Sequence, residues 1–216
     1  MEFIILTIFP QIFPSYFQES LMAKAIKKKI VKITIKDIRE YSQDKHQKVD
    51  DRPYGGGPGM LLKLPPIIYC LHSLKRKKRS RVILLDPKGR QFNQAQAKKY
   101  AYLDQLILIC GRYEGIDERI KNFVDEVISV GPYILNGGEI AALTIIETTS
   151  RLLKGFVGDP RSLSEESHNF KDKKLEYPQY TRPAVFKAGK KKYPVPKILL
   201  SGNHQKIKDW RKNTKS

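Results

Sequence analysis

Four short runs of almost unbroken apolar residues, Phe3 to Phe9, Val82 to Leu85, Leu106 to Cys110 and Val127 to Val130, constrain this fold more than any other feature. A strand with one face in water alternates apolar and polar side chains, because successive Cβ atoms point to opposite faces. A run without that alternation is covered on both faces. Helical patterns lie between the runs, and alternating elements of this length imply an α/β fold with a mostly parallel sheet. Val31, Ile33 and Ile35 alternate with Lys32, Thr34 and Lys36, the period of a half-exposed strand.

The helix signals are local. Ser15 with Gln18 makes a capping box that predicts a helix to about Lys29, and Asn93 with Gln96 caps a short helix to Leu103. Pro65 and Pro66 open a helix through about Lys78, and a last helix spans roughly Glu139 to Leu153. Beyond Gly155 the texture changes: Pro160, Pro178, Pro183, Pro194 and Pro196 sit among charged residues, with few apolar runs before Ile198 to Leu200. We expect a domain over 1–155, a linker over 156–175 and a small C-terminal domain over 176–216, ending in a helix from about Asn203 to Lys212. No internal repeat is present.

In open parallel sheets ligands sit at the carboxyl ends of strands, so the loops there carry the functional signal. Three are unusual: Asp86-Pro87-Lys88-Gly89-Arg90, which reads as a tight turn, Gly111 to Arg119, and Gly131 to Glu139. Together they read as a small-molecule pocket. A fourth segment, Asp50 to Met60, reads DDRPYGGGPGM. Its glycines permit positive φ and close approach to a ligand while its prolines pre-shape the backbone, so it reads as a binding loop. Nucleotide motifs are excluded. The first strand runs into Pro10-Gln11-Ile12-Phe13-Pro14 without the glycines of a dinucleotide fingerprint, and neither glycine-rich loop supplies the lysine and hydroxyl of a P-loop.

Charge narrows the partner. With 41 Lys and Arg against 22 Asp and Glu the formal net charge is +19, whereas about 2–8 in magnitude keeps a small domain soluble. The excess gathers at Lys27 to Lys29, Lys75 to Arg79, Lys171 to Lys174 and Lys190 to Lys192, which points to nucleic acid. No long amphipathic helix sets Trp or Phe against Lys, as a membrane surface would require. The N-terminal apolar run is strand-length and lacks a basic leader, and no run is long enough to span a bilayer, so we expect a cytoplasmic chain. Cys70 and Cys110 lie apart in apolar segments, as core residues rather than zinc ligands or a disulfide.

These motifs carry a resemblance. DDRPYGGGPGM, the segment CGRYEGIDERI from Cys110 to Ile120, the segment Ser129 to Glu139, the step Tyr180-Thr181-Arg182-Pro183, and Leu200 to His204 followed by Trp210-Arg211 resemble the bacterial tRNA (guanine-N1)-methyltransferase family, in the family's order and over nearly the whole chain. The resemblance implies a SPOUT-type α/β domain with a deep trefoil knot, a linker and a small helical C-terminal domain. It implies S-adenosylmethionine bound in the knot by Leu84, Leu85, Pro87, Gly111, Ser129, Val130, Gly131, Pro132, Tyr133, Ile134 and Leu135, with Gly137 and Gly138 behind. It also implies methylation of N1 of the guanosine immediately 3′ of a tRNA anticodon.

That chemistry has physical demands. Guanine N1 carries a proton near neutral pH and needs a general base, and its loss pushes negative charge onto O6, which a fixed cationic donor stabilises. By the resemblance Arg151 is that donor. Where the family presents Asp-Ser, this chain has Glu165-Glu166-Ser167-His168, and alignment on the serine makes Glu166 the base, with Glu165 and His168 as rivals. Glu114 matches a residue near the methionine end of the cofactor and the target base. Asp50, Asp51 and Arg52 match the loop that reaches the anticodon region; carboxylates there suit hydrogen bonds from unstacked bases rather than phosphate contacts. His46 and His204 match family positions with an RNA-contacting or a structural role. The resemblance further implies a homodimer with shared active sites, the tRNA anticodon stem-loop as partner, no membrane association and a dependence on magnesium. Two other readings are a catalytically silent RNA-binding protein on the same fold and a SPOUT methyltransferase acting on another RNA.

Overall fold

A computed structural model describes residues 1–158 and 177–214. They fall in two units, Met1–Gly158 and Asp159–Ser216. The first unit holds a five-stranded sheet in which every pairing is parallel, built from β1 (Glu2–Thr7), β2 (Lys32–Asp37), β5 (Ser80–Gln91), β6 (Gln105–Cys110) and β7 (Glu126–Ser129) in the order β2-β1-β6-β5-β7. The unbroken apolar runs are covered on both sides, as their lack of alternation requires. Phe3, Ile5, Ile83, Leu85, Leu106 and Leu108 enter one core cluster, while Ile4, Leu6, Val82, Leu84, Ile107 and Ile109 enter another. Each fully buried Leu or Ile contributes about 1.5–3 kcal/mol of hydrophobic stabilisation. β2 is a sheet edge and is only partly buried.

Helices α1 (Pro14–Phe17), α2 (Ser20–Lys27), α3 (Leu64–His72), α4 (Gln94–Ala101) and α5 (Gly138–Ser150) complete the unit, with a two-stranded pairing of β3 (Asp50–Asp51) and β4 (Leu61–Leu62) between β2 and α3 in sequence. The Asn93–Gln96 capping box is formed in both directions, each side chain bonding the other residue's backbone N–H at 3.1 Å. The Ser15–Gln18 box is not. A single turn ends at Phe17, Ser20 adopts φ +57°, and α2 starts anew, so the expected continuous helix is two pieces. Here Phe13 and Phe17 are buried with their rings stacked, and packing overrides the local cap. α3 ends at His72 rather than near Lys78, before the run of consecutive cations whose mutual repulsion opposes a helix.

The expected tight turn at Asp86 to Arg90 is an excursion inside one long strand. Leu85 and Arg90 both pair with Ile128, so the residues between leave the β5–β7 ladder and rejoin it. Asp86 Oδ1 accepts from Lys88 N at 2.8 Å, the local turn that makes the bulge. Phe156, expected to begin the linker, is 5 % exposed and packs in the first unit's core.

The C-terminal unit is not purely helical among its described residues. β8 (Val185–Ala188) and β9 (Lys191–Pro194) form an antiparallel hairpin around Gly189 and Lys190, with Phe186 and Tyr193 facing each other at 6.3 Å. Lysine-rich strands without an apolar run hid it in the sequence. Helix α6 (His204–Asn213) follows, capped by Asn203, whose side chain accepts from Lys206 N at 3.0 Å. No helix among the described residues is long and apolar enough to cross a membrane.

Candidate active site

The carboxyl ends of β5, β6 and β7 carry the three loops that the sequence singles out, and they enclose a cleft of about 360 Å³, within the range of small-molecule sites. Leu85, Pro87, Gly111, Ser129, Val130, Gly131, Tyr133, Ile134, Leu135, Gly137 and Gly138 all line it. Leu84 does not, because adjacent strand residues face opposite ways: Leu85 points to the cleft side while Leu84 enters the core on the other face of the sheet. Pro132 does not either. It stands exposed at the bend of its loop, between the lining residues Gly131 and Tyr133.

Close backbone contact joins the second loop to the third. Gly138 N donates to Gly111 O at 2.9 Å, and Arg112 and Gly137 form an isolated antiparallel bridge. A Cβ at Gly138 would lie 2.7 Å from Cys110 Cα, and one at Gly137 would lie 2.2 Å from Arg112 Nε, so neither position admits a side chain without movement. Directly beneath, burial pushes the Cys110 thiol well above its ordinary pKa and the Glu139 carboxylate adds to the shift, so Cys110 serves as packing. Ser129 Oγ donates to Gly131 O at 2.9 Å, fixing the start of the third loop.

One ionic network underlies the junction. Glu139, 1 % exposed near the start of α5, accepts from Arg112 Nε at 2.9 Å through Oε2 and from Thr7 Oγ1 at 2.7 Å through Oε1. Arg112 also donates from Nη1 to Asn136 O at 3.2 Å and lies 4.6 Å above the centre of the Phe9 ring. Arg112 lines the cleft, as do Asp86, Lys88, Tyr113 and Asn136. Sequence reading placed these in the loops of the expected pocket without giving any of them a role; for Arg112 the signal is Gly137, a glycine that makes room for an arginine.

The glycine loop is bracketed by β3 and β4. Gly55, Gly56, Gly57 and Gly59 have φ of +82°, +82°, +119° and +80°, a conformation that only glycine adopts readily. Tyr54 at its tip is fully exposed. The base of the loop is tied to the cleft: Glu114 N donates to Met60 O at 3.1 Å, Leu62 N to Gly115 O at 2.9 Å and Asp117 N to Leu62 O at 3.0 Å. Asp117 holds Arg119 through both side chains, and that guanidinium keeps the Asp117 carboxyl below its ordinary pKa. Glu114 thus stands where cleft and glycine loop meet, lining the first and abutting Gly59 of the second.

The other expected residues are dispersed. Asp50 and Asp51 lie in β3, and Asp51 Oδ1 accepts from Arg52 N at 2.8 Å. His46 is exposed in the preceding loop, where its N–H is held by Asp44 at 2.8 Å. His204 is exposed at the first position of α6, in the C-terminal unit. Arg151 caps the far end of α5 from the cleft glycines. Glu165, Glu166 and His168, with Lys171 to Lys174, lie outside the described residues. Among the described residues no group of three or more His, Cys, Asp or Glu side chains converges as a metal site would.

The sequence that folds into this cleft and the glycine hairpin at its rim has close relatives among known proteins. The family model described as tRNA (Guanine-1)-methyltransferase TrmD matches residues 1–216. A protein of Dictyoglomus turgidum named tRNA (guanine-N(1)-)-methyltransferase is 50% identical over 208 residues, covering 96% of this chain and 82% of its own. Proteins of the same name from Endomicrobium trichonymphae and Clostridium botulinum (strain Hall) are each 47% identical over 98% of this chain, and 92% and 85% of theirs. A full-length family match, together with relatives at this identity, places the chain: it belongs to the tRNA (guanine-1)-methyltransferase TrmD family.

Proposed function

We propose that this chain methylates N1 of the guanosine immediately 3′ of the anticodon in tRNA, using S-adenosylmethionine. The observation that carries this is the cleft, where eleven of the thirteen residues expected to hold the cofactor meet. Its walls fit that group: apolar side chains such as Leu85 and Leu135 for a flat base, and close-set backbone at Gly111, Gly131, Gly137 and Gly138 for a ligand held by N–H and C=O groups. When bound, S-adenosylmethionine supplies an activated methyl group on a sulfonium.

The chain's own groups do the rest. Glu166 removes the N1 proton and Arg151 donates to O6 as negative charge develops there; Glu114 and the Asp50–Asp51–Arg52 segment position the target base. The basic runs hold the RNA backbone without reading sequence. The family's knot, which we extend to this chain, is in keeping with the passage of residues 130–138 against residues 110–112. Among the described residues no three acids, histidines or cysteines converge to hold magnesium by themselves. We place the protein in the cytoplasm, where its buried thiols stay reduced.

Two observations support a homodimer with shared sites. α5 runs 13 residues from Gly138 to Ser150, so Arg151 stands about 20 Å along the helix from the cleft glycines. That is beyond the length of an arginine side chain, and Arg151 completes a cleft only in a second copy. Beside the cleft and along α5, Ile134 and Ile140 are 82% and 53% exposed, and Thr144 and Thr148 turn their hydroxyls back to helix carbonyls at 3.0 and 2.7 Å.

Methyl transfer from labelled S-adenosylmethionine to tRNA transcripts, with and without guanosine at the target position, tests the reading. Transfer to guanosine-bearing transcripts alone is expected, and Glu166→Gln lowers the single-turnover rate about 10²–10⁴-fold with cofactor affinity nearly unchanged. Cofactor binding without transfer to any transcript would identify a silent RNA-binding protein, and transfer to other RNAs only, a different substrate.

A further inference from the structure

We infer that Glu139 is a positioning residue that also supplies the counter-charge making the cleft selective for a cationic methyl donor over the neutral thioether product. The inference rests on the function proposed above. Arg112 stands in the cleft wall, and a lone guanidinium there would repel a sulfonium. It is not alone. Glu139, which does not line the cleft and is 1% exposed, holds Arg112 Nε at 2.9 Å and cancels its charge from behind. The ionisable groups lining the cleft, apart from the tyrosines Tyr113 and Tyr133, are Asp86, Lys88, Arg112 and Glu114, two acids and two bases; Glu139 behind them brings the set to a net −1.

The same contacts fix the position of Arg112. Thr7 Oγ1 donates to the second oxygen of Glu139 while accepting from Phe9 N at 2.9 Å, and the Phe9 ring lies under the guanidinium at 4.6 Å. Arg112 is therefore clamped between the end of β1 and the turn at Asn136, and its cationic face cannot swing out of the wall to relieve the repulsion. A carboxylate this deep would have to be satisfied in any fold, but nothing in packing requires its partner to face the ligand.

Methyl donor and thioether product differ by one methyl group and one positive charge, so their affinity ratio reads the local charge directly. In Glu139→Gln the amide oxygen still accepts from Arg112 Nε, the amide NH2 donates to Thr7 Oγ1 in place of accepting from it, and the negative charge is lost. Calorimetric titration of the full-length protein with S-adenosylmethionine and with S-adenosylhomocysteine should show the donor losing about tenfold more affinity than the product, the scale of one unit charge about 12 Å away at an effective dielectric of about 20. Glu139→Asp, which keeps the charge on a shorter stem, should weaken both ligands with the ratio near wild type. The double variant Glu139→Gln/Arg112→Gln should restore the ratio. Glu139→Met makes the same charge change with an apolar side chain of similar length and is read in the same way if the amide variant does not fold. Equal weakening of both ligands in the uncharged variants would reduce Glu139 to a structural residue and overturn the inference alone. Wild-type protein that bound neither ligand would overturn the proposed function and the inference with it.

Discussion

If Arg151 works in the cleft of a second subunit, two inactive proteins should restore each other. One carries Arg151→Ala with its cleft intact; the other carries Gly138→Ala, whose new Cβ would lie 2.7 Å from Cys110 Cα and 3.0 Å from Gly111 N. Those neighbours are backbone and cannot rotate away, so the cleft must open by several tenths of an ångström, at about 1–3 kcal/mol for overpacking. Loss of a single donor to a developing oxyanion costs about 10²–10³ in rate. With the two defects about 20 Å apart on one helix, a mixed dimer has one site bearing both defects and one bearing neither. Random reassembly makes half the dimers mixed, and half the sites in those are intact, so about one quarter of wild-type activity should return. The assay is tRNA methylation after co-refolding, with two affinity tags to isolate mixed dimers. Activity no higher than the parents in verified mixed dimers would refute the reasoning and assign Arg151 to its own subunit or to no site.

Two predictions concern stability and reactivity. Glu2 is 9% exposed; burial opposes its charge, but hydrogen bonds from Lys32, Lys77 and Gln105 outweigh that and hold its pKa down to about 2. A depressed carboxylate stabilises the fold above its ordinary value near 4.5 and loses that contribution as pH falls toward 2, so Glu2→Gln should cost about 2 kcal/mol at pH 7, allowing for the exposure of both lysines, and less than half as much at pH 3 by urea unfolding; an equal cost at both pH values would contradict this. Burial pushes Cys70 up to about 12 and Cys110 well above its ordinary value, so iodoacetamide at pH 8 should label neither thiol in the folded protein and both in denaturant, and rapid native labelling would show that these segments open.

What was legible in the sequence was whatever a single stretch of chain decides. The unbroken runs at Phe3 and Leu106 required cover on both faces, and the two core clusters supply it. The Asn93–Gln96 cap is local and formed as read, whereas the Ser15–Gln18 cap yielded to the burial of Phe13 and Phe17. The site's glycines were legible as glycines. Their reason was not, because Gly137 and Gly138 are set by Arg112 and Cys110, which reach them from another strand. Leu84 came with the family's motif, and only the fold shows its side chain entering the core on the face opposite Leu85. Glu139 was invisible as an ionic anchor, since a carboxylate at the start of a helix has an ordinary explanation in the dipole and only the fold brings Thr7 and Arg112 to it.

The glycine loop and the cleft meet at one residue, and this separates two effects that most substitutions would mix. Gly56 and Gly59 have nearly the same φ, +82° and +80°, so alanine at either carries a similar backbone strain of about 1–2 kcal/mol. Their surroundings differ. A Cβ at Gly56 meets nothing within 4 Å, whereas one at Gly59 would lie 2.4 Å from Glu114 Cγ. Gly56→Ala therefore disturbs the loop alone and should raise KM for tRNA about 5–30-fold, the same strain expressed as binding, while kcat holds. Gly59→Ala displaces Glu114 as well, and Glu114 is tied through its N–H to Met60 and through Gly115 to Leu62. It should therefore lower kcat at saturating tRNA as well as raising KM. Steady-state kinetics on one transcript decides the matter. Identical kinetic changes in the two variants would mean that Glu114 is a bystander, and that the loop reads the RNA independently of the cleft to which its base is bonded.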